Sequence, residues 1–141
     1  MSGEGWLLVR AGGRRVGLSL EQVIEVLDLG PVYPVPSTEP AVRGVTTSRG
    51  QIVPLIHLAA LLDEGTAAGS GGGTAVMVRL DGRQVCLEVD DAEEVLREPG
   101  LPVPQDVSLP FAVAVARQPD GIVPLLDLTA VGARISEAAT P

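Results

Sequence analysis

The sequence predicts an all-β protein with short helices, built as two related small barrels. Three observations carry this reading. The apolar content, 45% of 141 residues, is almost wholly aliphatic, with Trp6, Tyr33 and Phe111 the only aromatics. Branched aliphatic side chains fill the interiors of small barrels well. Gly12-Gly13 and Asp81-Gly82 each interrupt a run of strand-forming residues, as tight hairpin turns do. Above all, the chain repeats itself about seventy residues on. From Val9 to Leu27, nine of nineteen positions are identical with Val78 to Leu96, among them Gly13/Gly82, Val16/Val85, Glu25/Glu94 and Val26/Val95. Chance would give roughly one or two. Ile52–Leu58 then matches Ile122–Leu128 with one residue of slippage.

In order, Trp6–Arg10 and Val76–Leu80 read as strands that return as Arg14–Leu20 and Arg83–Val89. Val23–Leu27 and Ala92–Leu96 suit either a third strand or a short helix. The turn pairs Gly30-Pro31 and Pro99-Gly100 follow at once and favour a strand. Proline-punctuated crossings come next, from Pro31 to Pro40 and from Pro99 to Pro110, where extended backbone is expected. Strands follow at Val42–Thr46 and Gln51–Ile56, and again at Phe111–Ala116 and Ile122–Leu126. Pro54 and Pro124 within β-runs argue for edge strands or bulges there. Short helices are expected at Leu58–Leu62 and Thr129–Arg134, with Asp127 a good N-cap.

This organisation is one domain over 1–141. Its halves lie at about 6–64 and 75–134, joined by a glycine-rich tether at 65–74 and followed by a frayed tail at 135–141. Exchange of terminal strands between the barrels is left open. Gly69–Gly73 lacks the Lys-Ser/Thr of a phosphate loop and leads into a strand, so it reads as a linker.

A formal charge of -8, with ten scattered arginines as the only basic residues, offers no footprint for nucleic acid or an anionic membrane. Cys86 is the only cysteine, which excludes an internal disulfide and a thiolate zinc site. No apolar run approaches the ~18 residues needed to span a bilayer, and no basic-then-apolar leader opens the chain. A cytoplasmic protein without direct membrane insertion is expected.

Catalytic groups do not converge in the sequence. His57, the only histidine, has Asp127 as its repeat counterpart, which suggests a turn or capping role. No orienting partner for His57 is evident nearby. Cys86 answers to Gly17, as a small buried residue would. Asp90-Asp91 and Glu93-Glu94 read as a solvated face. No metal or cofactor is implied. An enzyme using His57 or Cys86 is the outlying alternative.

A binding scaffold fits better. Val23 and Glu25 lie two apart and share a face if their segment is a strand, as Glu94 and Val95 occur together in the second copy. A plain division into core valines and solvated glutamates stands equally open. Arg49-Gly50 falls in a turn, where the planar guanidinium suits a partner's carboxylates or carbonyls.

Three segments resemble the CheW-like domain family, the coupling proteins of bacterial chemosensory arrays. They are the opening hairpin leading to Val23-Ile24-Glu25-Val26, the stretch from Val35 to Ile56 with its proline pair, Gly44-Val45, Arg49-Gly50 and Val53-Pro54, and the closing Val123–Leu128. The resemblance runs from Trp6 to Val131. It implies two five-stranded SH3-like barrels around a shared apolar centre, and a non-catalytic adaptor. The implied partners are the cytoplasmic tips of chemoreceptors and the regulatory domain of a CheA-type histidine kinase, in cytoplasm or at membrane receptor arrays. Val23, Glu25, Arg49 and Val95 match family positions implicated in partner contact; Arg43, Gly44 and Gly50 fall within the same signature, the glycines shaping its backbone. Thr47-Ser48 replaces the Asn-Leu common before Arg-Gly, and His57 replaces a common Asp. These departures raise the alternative of a divergent module that binds only one partner in a motility or developmental system.

Overall fold

The structure, a computed structural model, describes residues 5–37, 39–62, 73–105, 109, 111–119 and 121–139, the last six as backbone. Eleven strands and two helices are formed by these residues. In the first half they are β1 (Gly5–Ala11), β2 (Arg14–Ser19), β3 (Val23–Asp28), β4 (Val32–Tyr33), β5 (Val42–Ser48), β6 (Gln51–His57) and α1 (Leu58–Leu62). In the second they are β7 (Thr74–Leu80), β8 (Arg83–Val89), β9 (Asp91–Arg97), β10 (Ala112–Gln118), β11 (Gly121–Leu126) and α2 (Leu128–Ala139). The ambiguous third segment is a strand in both copies. Most of the tether, residues 65–72, lies outside the described residues, as do 140 and 141. Helix α2 runs to Ala139, past the Arg134 expected and into the stretch read as a frayed tail.

Two sheets form, in the orders β10-β11-β2-β1-β9 and β3-β7-β8-β6-β5-β4. Each draws strands from both halves of the sequence. β3 leaves its own hairpin to pair with β7, and β9 reciprocally pairs with β1. The unit of repetition in the sequence is therefore not the sheet. Five strands per sheet were expected, and the second has six because β4 adds a two-residue stub against β5. In the first sheet the corresponding stub shrinks to one bridge, Leu101 with Val115.

The two-residue turns at Gly12-Gly13, Arg49-Gly50 and Asp81-Gly82 all have positive φ at both positions, the geometry whose twist matches paired strands. Pro54 and Pro124 lie on interior strands, not on edges. Each is tolerated because parallel pairing, of β6 with β8 and of β11 with β2, begins one residue later, at Leu55 and Leu125. The bulges sit opposite, where Arg43 and Val113 are extra residues on β5 and β10.

Alternation along the central strands explains their unbroken apolar runs. Leu7, Val9 and Ala11 of β1 face a core shared by both sheets, together with Val76, Val78 and Leu80 of β7 and residues of α1 and α2. The intervening Trp6 and Leu8 face a private core with Leu125 and Val123. Ala75, Met77 and Cys86 do the same with Leu55 and Val53 in the other sheet. The two private cores are repeat counterparts filled in complementary ways. Trp6 is accommodated by Gly17, since a Cβ there would lie 2.6 Å from a Leu125 methyl and 3.3 Å from Trp6 Cβ. The counterpart core has the small Ala75 and fills the Gly17 position with Cys86, whose Sγ lies 3.9 Å from Met77 Sδ. Burial, helped by the charge of Glu25, pushes the Cys86 thiol up to about 11. It is a packing residue and not a nucleophile.

Gly17→Ala should therefore destabilise the protein by about 1–3 kcal/mol through overpacking. Cys86→Ala should lose about 1 kcal/mol by removing one buried sulfur. Urea unfolding followed through the single tryptophan, Trp6, measures both; a Gly17→Ala variant as stable as the parent would contradict the complementary packing.

Candidate partner-binding surface

The β5–β6 turn is built from Arg49 at φ 52° and Gly50 at φ 78°. A non-glycine residue in that region costs about 1–2 kcal/mol. Arg49 nevertheless occupies it, and its Nη2 donates to Glu25 Oε1 on β3 at 3.0 Å. β3 and β5 are separated by three strands in the sheet order, so the sheet curls until this turn meets its far edge. The guanidinium is 79% exposed and the Glu25 side chain 28%. An ion pair so open to water contributes ~0–1 kcal/mol to folding. Its geometry is thus held mainly by the turn and the strand, and its donors remain accessible.

Val23 and Glu25 are both half-buried but do not share a face as expected, because a bulge at Ile24 separates them. Val23 pairs with Val78 and packs against the shared core, whereas Glu25 pairs with Met77 on the opposite side of the strand. Ile24 and Val26 point outward and are exposed, on a strand that is the edge of its sheet. Ile52, close after the Arg49 turn, is 74% exposed, more than any other large apolar residue described. Sequence reasoning missed Ile24, Val26 and Ile52; on β3 the bulge at Ile24 breaks the simple alternation from which exposure would be read.

Val95 stands apart from this group. It is exposed on β9, the edge of the other sheet, at the repeat counterpart of Val26. Gly44 shapes backbone: at φ 139° its missing Cβ would overlap the Tyr33 carbonyl oxygen. In the other copy the same close approach is relieved from the opposite side, by Gly100 against Ala114.

Arg43 proves to be engaged inward. Its Nη1 donates to Glu88 Oε2 at 2.7 Å, and His57 Nδ1 lies 2.9 Å from Glu88 Oε1. Glu88 is 1% exposed. His57 therefore has an orienting partner that the sequence did not disclose, because Glu88 arrives from β8, thirty-one residues away. The triad pins β5, β6 and β8 together beside the Arg43 bulge. Its counterparts Val113, Asp127 and Ser19 form no such group; Asp127 Oδ1 instead accepts from Thr129 N at 2.9 Å, capping α2 as expected.

A second charged array crosses the first sheet. Glu93 of β9 accepts from Arg15 Nε at 2.8 Å and from Arg10 Nη2 at 3.1 Å. Partial burial alone would raise its carboxyl, but the hydrogen bonds and charges of Arg15 and Arg10 prevail and hold it below the usual carboxylate range. Among the described residues no group of three or more His, Cys, Asp or Glu side chains is arranged to hold a metal ion. No helix there is long and apolar enough to cross a membrane.

Two sheets that exchange strands about a common core, with an arginine turn displayed at one edge, define a scaffold of the CheW-like class. The chain belongs to that family: the CheW-like domain model matches residues 5–135. Protein FrzA of Myxococcus xanthus is 36% identical over 88 residues, covering 62% of this chain and 54% of that protein, so the match spans about half of the relative's length. The crystal structure of the scaffolding protein TtCheW from Thermoanaerobacter tengcongensis shares the fold, with a TM-score of 0.75 at 20% identity over 89% of each chain.

Two outcomes follow from the charged groups. Glu88→Ala should cost about 3 kcal/mol in urea unfolding, because it strands Arg43 and His57 without their buried partner. Glu93 has its pKa lowered by folding, so its contribution is present above the unfolded carboxylate pKa and is lost as pH falls through the folded value. Glu93→Gln should remove that part of the acid dependence, amounting to less than about 1 kcal/mol at neutral pH because the array is solvent-accessible.

Proposed function

We propose that the protein is a non-catalytic coupling scaffold that joins the cytoplasmic tips of chemoreceptors to the regulatory domain of a CheA-type histidine kinase. Family membership supports the class of function. The observation that carries the particular reading is the Arg49–Glu25 pair. An arginine kept in a strained turn, itself mostly in solvent beside a half-buried Glu25, contributes little to folding, whereas a partner that desolvates it gains roughly 1.5–3 kcal/mol per charged hydrogen bond. Glu25 pre-orients the guanidinium, and Ile24, Val26 and Ile52 supply apolar area close by in the sequence. Contacts of this size give modest affinity singly, and repetition in a receptor array supplies avidity at the cytoplasmic face of the membrane.

A narrower reading is that one partner alone is bound. It is favoured by Thr47 and Ser48, which place polar groups beside Arg49; Thr47 is exposed opposite Ile52. Separate titrations of purified receptor tip and kinase regulatory domain distinguish the two readings, and no binding to either at low salt ends both. Arg49→Ala should weaken at least one partner about tenfold or more while moving thermal stability by less than ~0.5 kcal/mol. Unfolding of that variant would instead assign Arg49 to structure.

A further inference from the structure

A second surface lies on the other sheet. β2 and β11 pair in parallel only at Gly17–Leu125 and Leu18–Leu126. Towards their starts they separate, leaving a cleft of about 400 Å³ with Arg10, Arg14 and Arg15 on one side and Leu109, Ile122 and Pro124 on the other. On its outer side Gly121–Pro124 pairs with β10, but on the cleft side no strand among the described residues lies against it. Alternate backbone groups of β11 therefore face the cleft without a ladder partner among the described residues. Ile122 is 56% exposed, and Arg117 is its direct cross-strand neighbour on the same face.

We propose that this cleft docks an acidic, extended segment of a partner protein, with Arg14, the exposed Arg10 and Arg117 reading its carboxylates and Ile122 an apolar side chain between them. Three of the ten arginines line the cleft in a chain of net charge -8, and Arg117 stands beside it across from Ile122. Glu93 accepts from Arg10 and Arg15, Arg10 Nη1 also reaches the Gly13 carbonyl oxygen at 3.5 Å, and Arg15 Nη2 lies 3.8 Å from Glu94, so Arg15 is a structural member of the cleft wall. Arg14 has no partner among the described residues. An extended chain fits because it can use the unladdered backbone of β11 as well as the side chains.

Charge also selects the kind of occupant. A nucleic acid or an anionic bilayer would meet the repulsion of the whole acidic molecule, whereas a short segment meets the local arginines within a screening length of about 8 Å. The repeat counterpart of the cleft supplies an internal comparison. There Arg15 becomes Gln84, Arg117 becomes Thr47 and Leu109 becomes Glu39. This surface is separate from the Arg49 turn, and its test does not use the kinase or the receptor.

The test is fluorescence anisotropy of the intact chain with a fluorescein-labelled peptide in which glutamates alternate with leucine and valine. Saturable binding is expected at low salt, weakening about tenfold or more at physiological ionic strength. The same peptide with glutamines should not bind. Arg14→Glu and Ile122→Ser, both at exposed positions, should each weaken binding about tenfold with an unchanged thermal melt. Arg83→Glu, at the counterpart of Arg14, should leave it unchanged. The proposal is overturned if the glutamate peptide fails to bind at low salt, or if Arg83→Glu weakens it as much as Arg14→Glu. Tighter binding to phosphatidylserine vesicles or to an oligonucleotide than to the peptide also overturns it. The salt and glutamine comparisons need no variant, so misfolding of a substituted chain cannot decide the result.

Discussion

The structure depends on two hairpins that are buried on both faces. β1–β2 and β7–β8 each send alternate side chains into a core common to the whole molecule and the remainder into a core private to one sheet. A strand buried on both sides has no polar face to offer, which is why Leu7-Leu8-Val9 and Ala75-Val76-Met77-Val78 are continuous apolar runs. Neither hairpin could stand in water alone. The reciprocal exchange of β3 and β9 follows naturally, since each third strand extends the sheet of the opposite hairpin and so ties the two copies together.

That constraint decides which residues are left for partners. With the hairpins committed to the interior, the chain meets solvent through the edge strands β3, β4, β9 and β10 and through the turns. Glu25 and Val95 sit on such edges and Arg49 on such a turn. Arg43 lies in the same signature but is drawn inward by Glu88, so proximity in sequence to Arg49 does not give it the same role. The strained backbone at Arg49 and the buried triad a few residues away act on different links of the chain, one on recognition and the other on holding the strands that display it.

Much of this was legible in the residues. The turn pairs fixed three hairpins, because positive φ at two successive positions leaves few alternatives. The correspondence of Cys86 with Gly17 pointed to a packing site. What the sequence concealed were relations between distant segments. Local pattern says that Val23–Leu27 is a strand but is silent on whether it joins its own hairpin or its copy's. Glu88 looks like any glutamate near a strand end until Arg43 and His57 converge on it, and Pro54 suggested an edge because pairing that begins one residue later is a tertiary fact. The arginines at 10, 14, 15 and 117 seemed scattered for the same reason.

Duplication followed by divergence gives each half a distinct task on one template. Where the backbone demands are equal, the copies keep equal solutions, as in the bulges at Arg43 and Val113. Where only volume is demanded, they trade, Trp6 with Gly17 against Ala75 with Cys86. Where charge is concerned the two sheets part company: one buries Arg43, Glu88 and His57, while the other holds Val113, Ser19 and Asp127 there and displays Arg10, Arg14 and Arg15 at the open cleft. The buried triad holds strands together, whereas the exposed arginines of the cleft add little to folding, so it is at such exposed charges that selection for something other than folding has its most direct physical expression.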